Sequence, residues 1–237
     1  MAAEEIFTVK VLLFCAHPDD EVIGMGGTIR KFSEQGANVR LVHFSPGAEG
    51  YATIDEKATI CETRHQETMK VCDVLGIASY RNLGLLDWSI EVGNDTYRMV
   101  IEEIRSFQPD IVFTHCASDY HDHKNVNQVV NEGWFHASLE CAMEEHPIWK
   151  EVPLYEFEVI VPQPQPQLIV DVSDTFQYKL KAMECYYSQV GVVGGSAQML
   201  EGRALMRGQQ IGVRYGEAFS RTRMRPQAIH ELKELLK

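Results

Sequence analysis

The sequence predicts an α/β protein, a Rossmann-like three-layer sandwich with a mostly parallel central sheet. Three observations predict it. Short aliphatic or β-branched runs alternate with longer helical patterns through the first half, the signature of βαβ units. The helical stretches close on a glycine or a polar turn, as Gly36 does in SEQGANVRLVHFS before strand character returns. A chain of 237 residues also suffices to cover a sheet on both faces, and it is read as a single domain spanning residues 1–237.

In chain order, strands are expected at Val9–Cys15, Val39–Phe44, Ser79–Leu83 and Asp110–Thr114, with helices between them at Glu21–Gln35, Ala58–Leu75 and Asp95–Ser106. Beyond Asn125 the pattern loosens. A helix at Val126–Met143 leads into the loop EEHPIWKEVP, and strands follow at Tyr155–Val161 and Leu168–Val172. The PQPQPQ between them reads as a stiff surface loop. A helix at Asp174–Tyr187 opens on a cap at Ser173 or Asp174, VGVVGGSAQ is a flexible connection, and a last helix covers Gln198–Gln210.

Composition removes several functions. A net charge of −12 without a basic stripe argues against nucleic acid as a partner. Six scattered cysteines, Cys15, Cys61, Cys72, Cys116, Cys141 and Cys185, lack paired spacing and suit a reducing compartment. The opening MAAEEIFTVK lacks the apolar core of a signal peptide, and no run approaches a membrane span, so a cytoplasmic location is expected. Self-association is compatible with the sequence.

The chemistry concentrates at the end of the first strand, where His17, Pro18, Asp19, Asp20 and Glu21 follow directly on VKVLLFC. Ligands of open parallel sheets sit outside the carboxyl ends of strands, where strand order reverses. Pro18 restrains its own φ and pushes His17 out of the helical region, which aims the imidazole. Capping of a helix N-terminus needs one acid and explains neither the histidine nor the proline. The glycines of GMGGT, Gly24 to Thr28, fall after the helix has begun, which suits close packing better than a phosphate loop. A metal site uses all of these residues, because histidine and aspartate ligate zinc and a catalytic zinc keeps three protein ligands and an open position. FTHCASDYHDHKNV, after another expected strand, supplies His115, Asp119, His121, Asp122 and His123. In a three-two-one-four strand order both loops open at one crevice.

AHPDDE (Ala16–Glu21) together with SDYHDH (Ser118–His123) resembles the PIG-L/LmbE-like family of zinc-dependent N-deacetylases. The resemblance continues through RHQETMKVCDVLGI (Arg64–Ile77), LGLLDW (Leu83–Trp88), VDVSDTFQYKLKAMECYYSQ (Val170–Gln189) and YGEAF (Tyr215–Phe219). It implies an enzyme that removes an N-acetyl group from an N-acetylglucosamine-type conjugate by attack of zinc-bound water. On this resemblance His17, Asp20 and His123 bind one Zn2+ per chain, Asp19 is the general base, Arg64 contacts substrate, Asp87 lines the pocket and Glu21 orients the turn. A set of two histidines and one aspartate also accepts iron, cobalt or nickel. One departure stands out: the family spaces its second cluster as His-x-Asp-His, whereas this chain reads His121-Asp122-His123. His121 is therefore the expected assistant to the tetrahedral intermediate, with Tyr120 and His115 as substitutes. Trp88 is read as either a sugar platform or core. The same residues also suit a zinc hydrolase of a different amide or ester, or a non-catalytic metal- or nucleotide-binding regulatory domain.

Overall fold

The computed structural model describes residues 8–140, 146–193 and 196–226. Its strands are β1 (Lys10–Cys15), β2 (Asn38–His43), β3 (Ser79–Asn82), β4 (Ile111–His115), β5 (Leu154–Phe157), β6 (Leu168–Asp171) and β7 (Gly216–Arg221). Among the described residues these form one sheet in the order β3-β2-β1-β4-β5-β7-β6. Pairing is parallel from β3 to β5 and antiparallel on both sides of β7. The helices are α1 (Asp20–Glu34), α2 (Ile60–Leu75), α3 (Asn94–Phe107), α4 (His121–Ala137), α5 (Phe176–Cys185), the short α6 (Val190–Val193) and α7 (Ser196–Ile211).

β1 is an interior strand and both of its faces are apolar, the pattern of a parallel strand covered on two sides. Val11, Leu13 and Cys15 point into a core shared with α1, α2 and α5, while Leu12 and Phe14 point into a second core with α3 and α4. The expected three-layer sandwich is the observed one, and β1 and β4 are neighbours. The turns that leave these two strands therefore face each other.

The expected glycine packing is present. A Cβ on Gly24 would land in the Phe157 ring, and one on Gly27 would press on Val172. Gly24→Ala should lower unfolding free energy by roughly 1–3 kcal/mol through overpacking, despite the better helix propensity of alanine. The denaturant midpoint reads this, and an unchanged midpoint would remove the packing argument.

Several boundaries differ from expectation. α4 begins at His121 rather than Val126, because its first turn faces the polar site instead of an apolar core and so carries no hydrophobic period. β5 ends at Phe157 rather than Val161; the N–H groups of Ile160 and Val161 turn to Asp119 Oδ2, at 2.9 and 3.4 Å, instead of pairing in the sheet. α5 is preceded by Thr175 rather than capped by Ser173 or Asp174: the Ser173 hydroxyl donates to Asp171, and Asp174 pairs with Lys31. Within VGVVGGSAQ, Val190–Val193 forms a helical turn and α7 already starts at Ser196. β7 was not expected. Its Glu217 is buried against Lys179 Nζ (2.6 Å) and accepts the N–H groups of Gly27 and Thr28 at 3.0 and 2.7 Å. A buried acid of this kind interrupts the apolar alternation that marks a strand. The expected end of the fourth helix at Met143, Cys141, and the first seven residues lie outside the described residues.

Candidate metal centre

The turn after β1 takes its shape from Asp19, which occupies the left-handed region at φ 106 and ψ −27. An L-residue pays about 1–3 kcal/mol for such a conformation, and it persists only where the surroundings impose it. Asp19 stands at the N-cap of α1, yet its side chain makes no cap bond. Its Oδ2 instead accepts from Arg64 Nη2 at 3.1 Å. The neighbouring Asp20 turns the other way, and its Oδ2 accepts the His17 N–H at 2.8 Å.

His17, Asp20 and His123 bring one donor atom each to within 4.8 Å of one another, all on buried residues. Each histidine has a carboxylate behind it. His17 Nε2 meets Asp122 Oδ2 at 3.0 Å, which leaves Nδ1 on the side of Asp20. His123 Nδ1 lies 3.3 Å from Asp119 Oδ2, which leaves Nε2 facing Asp20 Oδ1 at 3.2 Å. Carboxylates behind histidines fix the ring orientation and raise ligand basicity, the usual outer support of a metal site. Both nitrogens of His123 sit at ion-pair distance from the Asp119 and Asp20 carboxylates, yet neither contact has hydrogen-bond geometry. Orphaned imidazole nitrogens beside two acids fit a cation, and two histidines with one aspartate fit zinc.

Without a cation the charges redistribute among these groups. Burial opposes a charged His17, but hydrogen bonds to Asp122 and Asp20 outweigh it and raise the imidazole to about 10. Burial likewise opposes charge on His123, and the Asp20 and Asp119 carboxylates raise it to about 9. For Asp20, burial is overcome by His123 and His115, and the carboxyl falls well below its ordinary range. Asp19 moves the opposite way: burial, with Asp20 and Glu21 beside it, lifts it to about 7 against the pull of Arg64. Two adjacent carboxylates thus differ widely in basicity, the separation that acid–base chemistry requires.

Residues 12–134, more than half of the chain, match the PIG-L family, described as GlcNAc-PI de-N-acetylase. The chain belongs to the PIG-L family. Among curated relatives, it is 27% identical over 190 residues to the probable N-acetyl-α-D-glucosaminyl L-malate deacetylase 2 of Bacillus cereus, covering 76% of this chain and 83% of that one. Among solved structures, it resembles the N,N'-diacetylchitobiose deacetylase of Pyrococcus horikoshii, with a TM-score of 0.84, 26% identity, and coverage of 95% and 88%. It also resembles GalB, the 4-carboxy-2-hydroxymuconate hydratase of Pseudomonas putida KT2440, with a TM-score of 0.79 at 23% identity over 95% of this chain and all of that one. The last likeness is one of fold alone.

Within this PIG-L fold the expected residues separate into those gathered at the centre and those held away from it. His121 stays outside: its side chain is 64% exposed, and its ring bonds Asp122 Oδ1 at 3.1 Å. Tyr120 takes the inward place, its hydroxyl 3.2 Å from His17 Nδ1 and its ring stacked at 6.3 Å on His17. At the start of α4 the side chain before Asp122 is therefore exposed, and the one before that reaches His17. Burial and the nearby Asp20 carboxylate push the Tyr120 phenol upward, so it keeps its proton and remains a donor. His115 is also inside, but its Nε2 accepts the Ala16 N–H at 2.9 Å, and that lone pair is unavailable to a metal. Burial beside His123 lowers His115 to about 4, so it is a neutral support on which the His123 ring stacks at 4.0 Å.

Arg64, expected on substrate, is 3% exposed, and a Cβ on Gly47 or Gly50 would collide with its guanidinium. It is held under that loop and grips Asp19 and the Pro18 carbonyl. Asp87 anchors the same loop, accepting from the Ser45 hydroxyl and from Glu49 N at 2.7 Å. Trp88 is no core residue: it is 73% exposed at φ 64, with its backbone N–H donating to Asp122 Oδ2 at 2.8 Å. Asp119 and Asp122 were visible as part of the second cluster, but their roles behind His123 and His17 were not, because no spacing rule says which acid backs which imidazole.

Proposed function

We propose that this protein is a metal-dependent N-deacetylase acting on an N-acetylglucosamine-type conjugate. The observation that carries the reading is the pairing of a three-donor cluster, His17, Asp20 and His123, with a further buried carboxylate, Asp19, that is bound to Arg64 and left out of the cluster. A purely structural cation site has no use for that extra acid. The Bacillus and Pyrococcus relatives, a probable N-acetyl-α-D-glucosaminyl L-malate deacetylase and an N,N'-diacetylchitobiose deacetylase, support the amide and the amino sugar.

One divalent cation, zinc in our assignment, would be held by His17, Asp20 and His123 and would supply a Lewis acid that makes water nucleophilic near neutral pH. Asp19 takes a proton from the attacking water and returns it to the departing amine. Arg64 keeps the Asp19 carboxylate turned towards the cluster. Tyr120 donates to the oxygen that becomes negative as the acetamide carbon turns tetrahedral. Trp88 offers an exposed aromatic face at the rim on which a sugar ring stacks. The product is acetate plus the free amino sugar. We place the activity in the cytoplasm, in keeping with the free cysteines Cys15, Cys61, Cys72, Cys116 and Cys185, and in one domain; no helix among the described residues is long and apolar enough to cross a membrane.

The test is a panel of N-acetylglucosamine conjugates, including the disaccharide, inositol and malate forms, incubated with zinc-loaded protein. Equal amounts of acetate and free amine are expected from at least one member. No acetate from any of them, with hydration of an unsaturated acid instead, would overturn the reading in favour of chemistry like that named for GalB. A finer prediction separates the two candidates for oxyanion donor. Tyr120→Phe should lower kcat by about 100-fold at unchanged metal content, the usual loss for one such donor, whereas His121→Ala should leave kcat close to the parent value. Steady-state kinetics reads both, and the reverse ranking would return the role to His121.

A further inference from the structure

The strained conformation of Asp19 is held from behind by a ring of side chains that does not touch the metal donors. The Asp19 N–H donates to Glu21 Oε2 at 3.2 Å, and Glu21 is wholly buried. The Tyr186 hydroxyl donates to Glu21 Oε1 at 2.6 Å, and His43 Nε2 faces Oε2 at 3.0 Å. Because Tyr186 has given its single proton to Glu21, Thr68 must be the donor in the 3.2 Å contact between the two hydroxyls. Thr68 shares that proton with the Arg64 carbonyl at 2.8 Å. Arg64 then closes the circuit, its Nη2 donating to Asp19 Oδ2 at 3.1 Å. Asp19 is thus gripped at its backbone by Glu21 and at its carboxylate by Arg64, and Tyr186 and Thr68 join the two grips.

Cys15, Glu21 and His43 also have donor atoms within 4.8 Å of one another, the spacing of a cation site. Their hydrogen bonding favours the ring instead. Glu21 already faces three donors, and the second nitrogen of His43 lies 3.3 Å from the Tyr80 hydroxyl. A cation there would have to displace groups that already bond both oxygens of the carboxylate.

We propose that Tyr186 and Thr68 are positioning residues for the reaction: the ring they close through Glu21 and Arg64, with His43 bracing Glu21, fixes Asp19 in its left-handed conformation and holds its carboxylate on Arg64. The proposal rests on the reading of Asp19 as the base. The ring draws on β2, α1, α2 and the turn after α5, so the geometry of the base is set by residues far apart in the chain.

The test measures kcat, KM and metal content for Tyr186→Phe, Thr68→Val, Thr68→Ser and the Tyr186→Phe/Thr68→Val double variant, with Asp19→Asn alongside. Tyr186→Phe and Thr68→Val should each lower kcat, Tyr186→Phe by on the order of 10- to 100-fold, the scale of a slightly misplaced catalytic group. KM and metal content should stay at parent values, and Thr68→Ser, which keeps the hydroxyl, should retain parent kcat. Both substitutions open one ring, so the double variant should fall no further than the worse single. If Tyr186→Phe fails to fold, the nearly isosteric Thr68→Val and its Thr68→Ser counterpart carry the same test. Losses that multiply in the double variant, or a rise in KM with kcat intact, would overturn the proposal. A dead Asp19→Asn beside an unimpaired Tyr186→Phe would overturn the ring alone, whereas a fully active Asp19→Asn would overturn the base reading and the ring with it.

Discussion

Asp19→Asn is expected to fold, to bind its metal ion, and to lose about 100- to 10,000-fold in kcat, the range attributed to a positioned general base. The amide is nearly isosteric and keeps an oxygen that can accept from Arg64, so geometry is largely retained while the proton acceptor is removed. His17, Asp20 and His123 are untouched, and metal analysis should still give the parent stoichiometry. In the parent, burial places Asp19 at about 7 in the metal-free protein. An Asp19→Asn variant with parental kcat would mean that the proton goes elsewhere.

The second large effect belongs to His123. His123→Ala should lose the metal ion and, with it, all but background turnover. The substitution deletes one donor of three and leaves the Asp20 and Asp119 carboxylates facing each other without an imidazole between them. Inductively coupled plasma analysis of the purified variant reads this directly; full metal content would remove His123 from the ligand set. A pH dependence follows from the same groups. In the metal-free protein, burial is outweighed at His17 by Asp122 and Asp20, and at His123 by Asp20 and Asp119, so these imidazoles hold protons up to about 10 and about 9. Metal must displace those protons, so affinity should rise as pH rises from 6.5 towards 9, by up to tenfold per unit for each protonated histidine. Competition with an indicator chelator across that range measures it. A flat profile would show that the imidazoles are already neutral.

The parts of this protein that were legible in its sequence are those where chemistry and local pattern coincide. β1 announces itself as an unbroken apolar run ending in His17-Pro18-Asp19-Asp20, and β4 runs into a second polar cluster. With the strand order of a doubly wound sheet, those two facts bring the two clusters to one crevice, and the choice of His17, Asp20 and His123 within them rests on the family resemblance. What was hidden depends on contacts distant in the chain. β7 contains Glu217, whose burial makes sense only once Lys179 and the Gly27 and Thr28 amides are known to surround it. The choice between Tyr120 and His121 turns on where α4 starts, and its polar first turn carries no hydrophobic period to mark that start. The substrate role of Arg64 rests on the resemblance alone, and the Gly47 and Gly50 loop that covers it is visible only in the fold. His43 and Tyr186 read as strand and helix residues, and nothing local links them to Glu21, which lies 22 and 165 residues away in sequence.

On the proposed function, one cation held by His17, Asp20 and His123 acts with Asp19 in the release of the acetyl group. The most direct measurement is a titration of metal-free protein with zinc while acetate release from an N-acetylglucosamine conjugate is followed. No release is expected without metal, then a linear rise with a sharp break at one equivalent per chain. Acetate release that is independent of added metal, or none at any loading while zinc binds stoichiometrically, would contradict the proposed function.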